Sequence, residues 1–359
     1  MNENKPYLEQ TDLFVSGTDW YHTYRVPVIV VTTQGSLLAF CEGRRNSIHD
    51  FGEIDILMKR STDGGLTWGK QQVVWHDPGK TCGNPAVVVD RHTGNIWMFN
   101  CWNLVHESMT SEEAQKSRRV YAYHSEDDGL TWSEPKDITN DVKPADWIVY
   151  YTGPGRGIQL ASGRLVIPCC HKTVRGADKP CWPCHVIYSD DHGATWAAGG
   201  STEAGDESQV VELGDGTLLL AIRDFTENHR HKVAVSQDGG LSWSKLKDHP
   251  DLRGASCQVC IIRLTDEQSH DKNRLLFSCA AGDVREKMTV RLSCDEGKTW
   301  PVAKRLYAGP SAYSCLAVLP DGTAICLYER GEQSPYEGLM LARFNLEWLT
   351  DGRDGLGVA

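Results

Sequence analysis

An all-β, six-bladed β-propeller with four-stranded antiparallel blades is the fold the sequence predicts. Three observations predict it: an octapeptide that recurs five times, its spacing, and three strand-like runs left over after the last copy. The copies are STDGGLTW from Ser61, SEDDGLTW from Ser125, SDDHGATW from Ser189, SQDGGLSW from Ser236 and SCDEGKTW from Ser293, each reading Ser-x-Asp-x-Gly-x-Ser/Thr-Trp. The five serines stand roughly 45 to 65 residues apart, the length of one four-stranded blade.

Each copy is a turn with a strand in front of it. Runs such as Asp55-Ile56-Leu57-Met58 and Val120-Tyr121-Ala122-Tyr123 lead in. The Asp then accepts hydrogen bonds from turn amides, the Gly supplies positive φ, and the Trp packs back on the sheet. After the last box, the runs Ser314 to Leu319, Thr323 to Tyr328 and Leu339 to Phe344 suit a sixth blade without a box, and Leu13-Phe14-Val15 supplies its missing strand and closes the ring. The strand pattern runs on without a linker, so residues 1–359 are expected to form a single catalytic domain. The one polar, helix-compatible stretch, His106 to Arg119, reads as an insertion between strands.

Composition narrows the function. A net charge of −11 argues against nucleic acid and anionic membrane surfaces, both of which need a basic field. No run approaches the roughly 18 apolar residues of a membrane span, and MNENKPYLEQ has no apolar leader core. Thirteen cysteines, several inside strand patterns (Cys41, Cys279, Cys315, Cys326), read as free packing residues in a reducing compartment, so a cytoplasmic location is expected, with a secreted or periplasmic one the alternative if a leader has been removed. The Cys-x-x-Cys pairs Cys181/Cys184 and Cys257/Cys260 lie far apart with no histidine completing a familiar spacing, and packing is preferred to zinc.

Three constellations carry chemistry. Arg25, in Tyr24-Arg25-Val26-Pro27, stands where a buried strand begins and needs an anionic partner; Arg44, in CEGRR, and Asp50 follow at the end of the next strand and its loop. Glu207 and Arg223 flank the hairpin that turns at Gly214-Asp215-Gly216, so they emerge on one rim. Arg285 precedes the fifth box, and a later hairpin sets Tyr313 and Glu329 at one end of a strand pair.

The boxes resemble the Asp boxes of the sialidase (neuraminidase) family, where they are structural turns. The constellations are similar to that family's site in order and type: a Tyr/Phe-Arg-Ile-Pro motif, here with Val26 for Ile, then Glu-x-Arg, a loop aspartate and the first box. The resemblance implies an exo-α-sialidase of the bacterial type. In it Arg25, Arg223 and Arg285 bind the substrate carboxylate, Tyr313 is the nucleophile, Glu207 its base, Asp50 the acid/base, Arg44 a companion binding residue, and Glu329 the carboxylate that orients Arg25. It also implies sialylated glycans as substrates and neither metal nor organic cofactor. Asn84 stands where many members have an aspartate, so recognition at the sugar's amide or ring hydroxyl is expected to differ. Trp102 and Asn103 are candidates to line the acyl pocket, with core packing the equal alternative for Trp102. Tyr151 to Leu160 resembles a glycine-rich stretch of these enzymes and is given a structural role.

These residue types suit the chemistry. Guanidiniums offer planar forks to a carboxylate on a net negative protein. That substrate carboxylate would repel an anionic nucleophile, which explains a neutral tyrosine; sialidases are the known tyrosine exception among glycosidases. A phenol titrates near pH 10 and needs a base. Taken singly, a loop Asp is ordinarily solvated, a strand Tyr core and an Arg a surface ion pair; the joint order of all of them outweighs those readings. The alternatives are a non-catalytic glycan-binding propeller, which has no reason to keep Tyr313, Glu207 and Asp50 together, and the same fold acting by transfer or on another nonulosonic acid.

Overall fold

The computed structural model of the protein describes residues 5–104, 117–173, 182–223 and 228–357. Apart from two helical stretches, Thr139–Val142 and Leu346–Thr350, the regular structure among these residues is strand. The insertion expected at His106 to Arg119 falls almost wholly outside them, as does Cys181.

The sheets have a propeller-like arrangement, but the expectation of six blades is corrected: four blades stand as separate sheets, and the remaining strands form one continuous nine-stranded sheet. The first blade runs, in hydrogen-bonded order, Leu8–Val15, Gly338–Phe344, Ala324–Arg330, Ser311–Val318. The N-terminal strand thus pairs antiparallel with the last one, Phe14 opposite Leu339, as its hydrophobic run suggested. The second is Trp147–Thr152, Leu165–Thr173, Cys184–Ser189 and Ala197–Ser201, with Ile158–Gln159 added on Leu165–Thr173. The third is Ser208–Glu212, Leu218–Ile222, Arg230–Ser236, Lys247–Arg253, and the fourth Cys260–Thr265, Arg274–Ala280, Met288–Ser293, Val302–Arg305.

The nine-stranded sheet begins with Thr23–Val31, Leu37–Arg44 and Ile54–Ser61 and continues through Lys80–Val89 to Lys136–Asp137. Continuity comes from one parallel pairing, Ile54 with Thr81. Gln72–Trp75 hangs from Ile54–Ser61 as a side branch, and Gly155–Arg156 pairs parallel with Ala86–Val87. A single backbone bridge decides whether strands count as one sheet or two, and side-chain periodicity carries no trace of it.

All five boxes fold alike. The Ser hydroxyl donates to the Asp at 2.7–2.8 Å and accepts the box Gly amide at 2.8–2.9 Å, while the Ser/Thr amide and hydroxyl both donate to the Asp. At Gly193, φ is +93° and a Cβ would lie 2.2 Å from the Trp97 ring, so only glycine fits. The box Trp residues pack on the apolar clusters between sheets, Trp196 and Trp300 buried within them.

The innermost strands converge with their N-terminal ends at one face. Three of them carry register shifts there, at Arg25/Val28, Gly83/Ala86 and Ser311/Ser314. Bulges of this kind bend a strand and re-aim side chains. Val26 has φ +59° and Asn84 φ +55°. Left-handed backbone is tolerable for Asn but strained for β-branched Val, so the contacts around Val26 must hold it there.

Candidate active site

The bulged strand ends enclose a cleft of about 190 Å³, lined by Arg25, Glu42, Arg44, Asp50, Asn84 and Tyr313 among others. Two buried glutamates brace it in the same way. Glu329 accepts Arg25 Nε at 2.6 Å and the freed amide of Val26 at 2.9 Å through Oε1, and the amide of Tyr313 at 3.0 Å through Oε2. Glu42 accepts Arg44 Nε at 2.9 Å and Arg44 Nη2 at 2.7 Å through Oε2, and the amide of Asn84 at 2.7 Å through Oε1. Each carboxylate thus satisfies a bulge amide and an arginine together, which is what a buried charge requires.

Tyr313 stands at the centre. Its hydroxyl donates to Glu207 Oε1 at 2.6 Å and lies 2.7 Å from Oε2, and Arg223 Nη1 donates to Glu207 Oε2 at 2.6 Å and to the Tyr313 oxygen at 3.0 Å. The hairpin logic for Glu207 and Arg223 is visible in the backbone too, where the Arg223 amide donates to the Glu207 carbonyl at 2.9 Å. The guanidinium carbons of Arg25 and Arg285 lie 5.3 and 5.5 Å from the Tyr313 ring centroid, so three cations surround the phenol. Burial and the adjacent Glu207 push its pKa well up, against the pull of Arg223 and Arg285, so the phenol is neutral and hydrogen-bonded at rest.

Asp50 differs from the rest: its side chain is 84% exposed, and it reaches back to Arg44 Nη1 at 2.7 Å. Desolvation at the cleft mouth would raise its pKa, but Arg44, Arg25 and Arg285 outweigh that and hold it below the ordinary carboxylate value. Asn84 lines the cleft and is set by its amide bond to Glu42 and by Thr152, whose hydroxyl donates to its carbonyl at 2.6 Å. Every candidate catalytic or substrate-binding residue from the sequence is therefore at this face except Trp102 and Asn103. Trp102 packs against the core with its indole donating to Asp77 at 2.7 Å, and neither residue lines the described cleft.

Sequence reasoning missed four features. Asp206 lies beside Glu207, 3.3 Å from Arg223 Nε, and burial followed by repulsion from Glu207 raises its pKa to about 7. Tyr336 accepts Arg285 Nη1 at 2.6 Å and stacks under Arg25, whose guanidinium carbon is 3.9 Å from the ring centroid. Arg118, Tyr151 and Trp182 form one wall, Tyr151 coming from the glycine-rich stretch expected to have only a structural role. Glu42 was visible only as the first letter of Glu-x-Arg. Adjacency to Glu207 was the available signal for Asp206; Tyr336 sits in a loop with none.

Residues 22–326 match a family model described as a BNR repeat-like domain. The chain is 39% identical over 364 residues to a sialidase of Micromonospora viridifaciens, covering 96% of this chain and 55% of the relative. It is 31% identical to a sialidase of Bacteroides fragilis, covering 88% of this chain and 61% of the relative. The chain thus spans little more than half the length of these curated relatives. Among solved structures, the Hadza microbial sialidase Hz136 superposes with a TM-score of 0.85 at 31% identity, covering 95% of this chain and 69% of that one.

Proposed function

Because the chain belongs to the sialidase family with BNR repeats, we propose that it is an exo-α-sialidase, hydrolysing terminal sialic acid from glycoconjugates with retention at the anomeric carbon. The observation that carries this reading is Tyr313, hydrogen-bonded to both oxygens of Glu207 and ringed by Arg25, Arg223 and Arg285, with Asp50 across the cleft mouth.

In the first step the Tyr313 oxygen attacks the anomeric carbon while its proton passes to Glu207. The glycosidic C–O bond breaks as Asp50 protonates the departing oxygen. In the second step Asp50 takes a proton from water, the hydroxide attacks the same carbon, the tyrosyl bond breaks, and Glu207 returns the proton to the phenolate. Two inversions give retention. Asp50 must be protonated to begin, yet the arginines hold it ionised at rest. The substrate carboxylate resolves this: a negative charge among Arg25, Arg223 and Arg285 offsets the field that depresses Asp50.

The deciding experiment is release of fluorophore from an α-sialoside of N-acetylneuraminic acid by the native chain and by Tyr313→Phe. Turnover by the native chain that is lost in the variant is expected. A folded native protein that releases nothing would overturn the reading in favour of action on another nonulosonic acid or of a binding-only propeller.

A further inference from the structure

The second variable position of the Asp box is left-handed in every copy: Gly64, Asp128, His192, Gly239 and Glu296 have φ of 69°, 61°, 59°, 68° and 61°. Where this residue has a functional side chain, it reaches a turn of the preceding sheet region. Asp128 accepts the Ser36 hydroxyl at 2.6 Å, and Glu296 accepts the Gly214 amide at 2.8 Å while pairing with Arg263 of its own sheet at 2.7 Å. His192 uses different chemistry: its Nδ1 lies 2.8 Å from Asp90 Oδ2, in the turn after strand Lys80–Val89.

This third clasp holds more than a hydrogen bond requires. His92 from the same turn joins Asp90 and His192, and one donor atom from each of the three lies within 4.8 Å of the others. Asp90 is fully buried, whereas the side chains of His92 and His192 are 63% and 48% exposed, so a fixed carboxylate lies under two imidazoles open to solvent. The Asp90 carboxylate is held in place by the His92 amide at 2.9 Å and the Thr93 hydroxyl at 3.0 Å, both of which donate to it. Gln159 braces the turn: its Oε1 accepts the Arg91 amide at 2.7 Å, and its Nε2 donates to Asp90 Oδ1 at 2.7 Å and to the Gly163 carbonyl at 3.2 Å and lies 3.0 Å from His92 Nδ1. The nearby Arg164 is neutralised by Asp190 at 2.7 and 2.8 Å, so it does not oppose a cation in the adjoining notch.

We propose that Asp90, His92 and His192 bind a divalent transition cation of the zinc type, clamping the turn after Lys80–Val89 to the third Asp box. Two imidazoles and a carboxylate are a zinc-compatible donor set with room for water as the fourth ligand. The cation replaces the proton that His192 Nδ1 shares with Asp90, and that proton leaves to solvent. Asp90 lies six residues along an extended strand from Asn84, about 20 Å from the cleft, so the clamp bears on stability and not on turnover.

The test is calorimetric titration of chelator-treated full chain with Zn²⁺ alone at pH 7.5, in two buffers of different ionisation heat, beside thermal melting with and without Zn²⁺. One-to-one binding with proton release and a raised melting temperature is expected. His92→Ala and His192→Ala should each weaken binding at least tenfold and abolish the thermal shift, with sialoside hydrolysis unchanged. His92 makes few contacts, so its variant remains informative if His192→Ala folds poorly. Zn²⁺ affinity equal to native in His92→Ala, or no stoichiometric binding by the native chain, would overturn the proposal.

Discussion

The two ends of the sheets use the same residue types to opposite effect. At the Asp-box end the invariant aspartate of each box is satisfied by residues at most four positions away, as Asp238 is by Ser236, Leu241 and Ser242. At the cleft end Glu207 meets Tyr313 across 106 positions and Glu329 meets Arg25 across 304. The acidities diverge accordingly. Local donors, the Ser242 hydroxyl first, lower Asp238 to about 2, whereas burial and Glu207 raise Asp206 to about 7. A carboxylate saturated by its own turn holds its proton state and repeats freely. One that depends on distant partners changes state when a ligand enters among them.

The comparison breaks most visibly at Tyr313. Tyr313→Phe should lower kcat by on the order of 10³-fold or more while shifting the melting temperature little, since Glu207 keeps its bond to Arg223. Retained turnover would remove the nucleophile. Next is Glu329→Gln, which leaves Arg25 buried without its counter-charge and slackens the amides of Val26 and Tyr313. Loss of about 3–5 kcal/mol of stability, with a raised KM for sialosides, is expected from an uncompensated buried charge. Unfolding curves matching the native chain's would show the brace to be dispensable.

Asp50 sharpens the contrast, being the exposed member of the cleft. Asp50→Ala should cost about 10²-fold on a substrate with a poor leaving group and much less on one that departs unaided. With the native enzyme and the poor leaving group, the rate should fall as pH rises through the Asp50 pKa of the complex, because the acid form is consumed. That limb should vanish in the variant; its persistence would assign the proton to another group.

Asp206 predicts a pH dependence of stability. Its folded pKa of about 7 lies above the usual carboxyl value, so between pH 4 and 7 the unfolded chain gives up a proton that the folded chain keeps, and stability falls as pH rises. Asp206→Asn should recover about 1–3 kcal/mol at pH 8 relative to pH 4 by denaturant titration. Parallel pH profiles for the two proteins would contradict the shift.

What was legible in the sequence follows the same division. The boxes, their Trp anchors and the N-terminal strand on Gly338–Phe344 could be read because each depends on local pattern or a hydrophobic run. Glu207 with Arg223, and Tyr313 with Glu329, could be read because a hairpin brings its own ends together. The blade count could not, since the parallel bridge from Ile54 to Thr81 merges strands without marking either side chain. Nor could the bulges, because no glycine announces left-handed backbone at Val26; the tie that holds it, to Glu329, comes from the other end of the chain. Asp206 was missed for a related reason: its environment is assembled by burial beside Glu207 and not by a turn.

The smallest effect belongs to the box end. Asp238→Ala removes the acceptor for the Ser236 and Ser242 hydroxyls and for the amides of Leu241 and Ser242, on a turn that is exposed except at the buried Ser236. Exposed groups regain water, so a fall of a few degrees in melting temperature is expected, with kcat and KM for sialosides unchanged. The pH sign is opposite to that of Asp206. Because the folded pKa is depressed to about 2, the stabilisation is complete above the ordinary carboxyl pKa and drains away as pH falls toward 2. The gap between native and variant melting temperatures should therefore narrow between pH 5 and pH 3. A variant that melted like the native chain at pH 7 but lost turnover would mean that the box ends communicate with the cleft, and the division between a closed local turn and an open long-range site would fail.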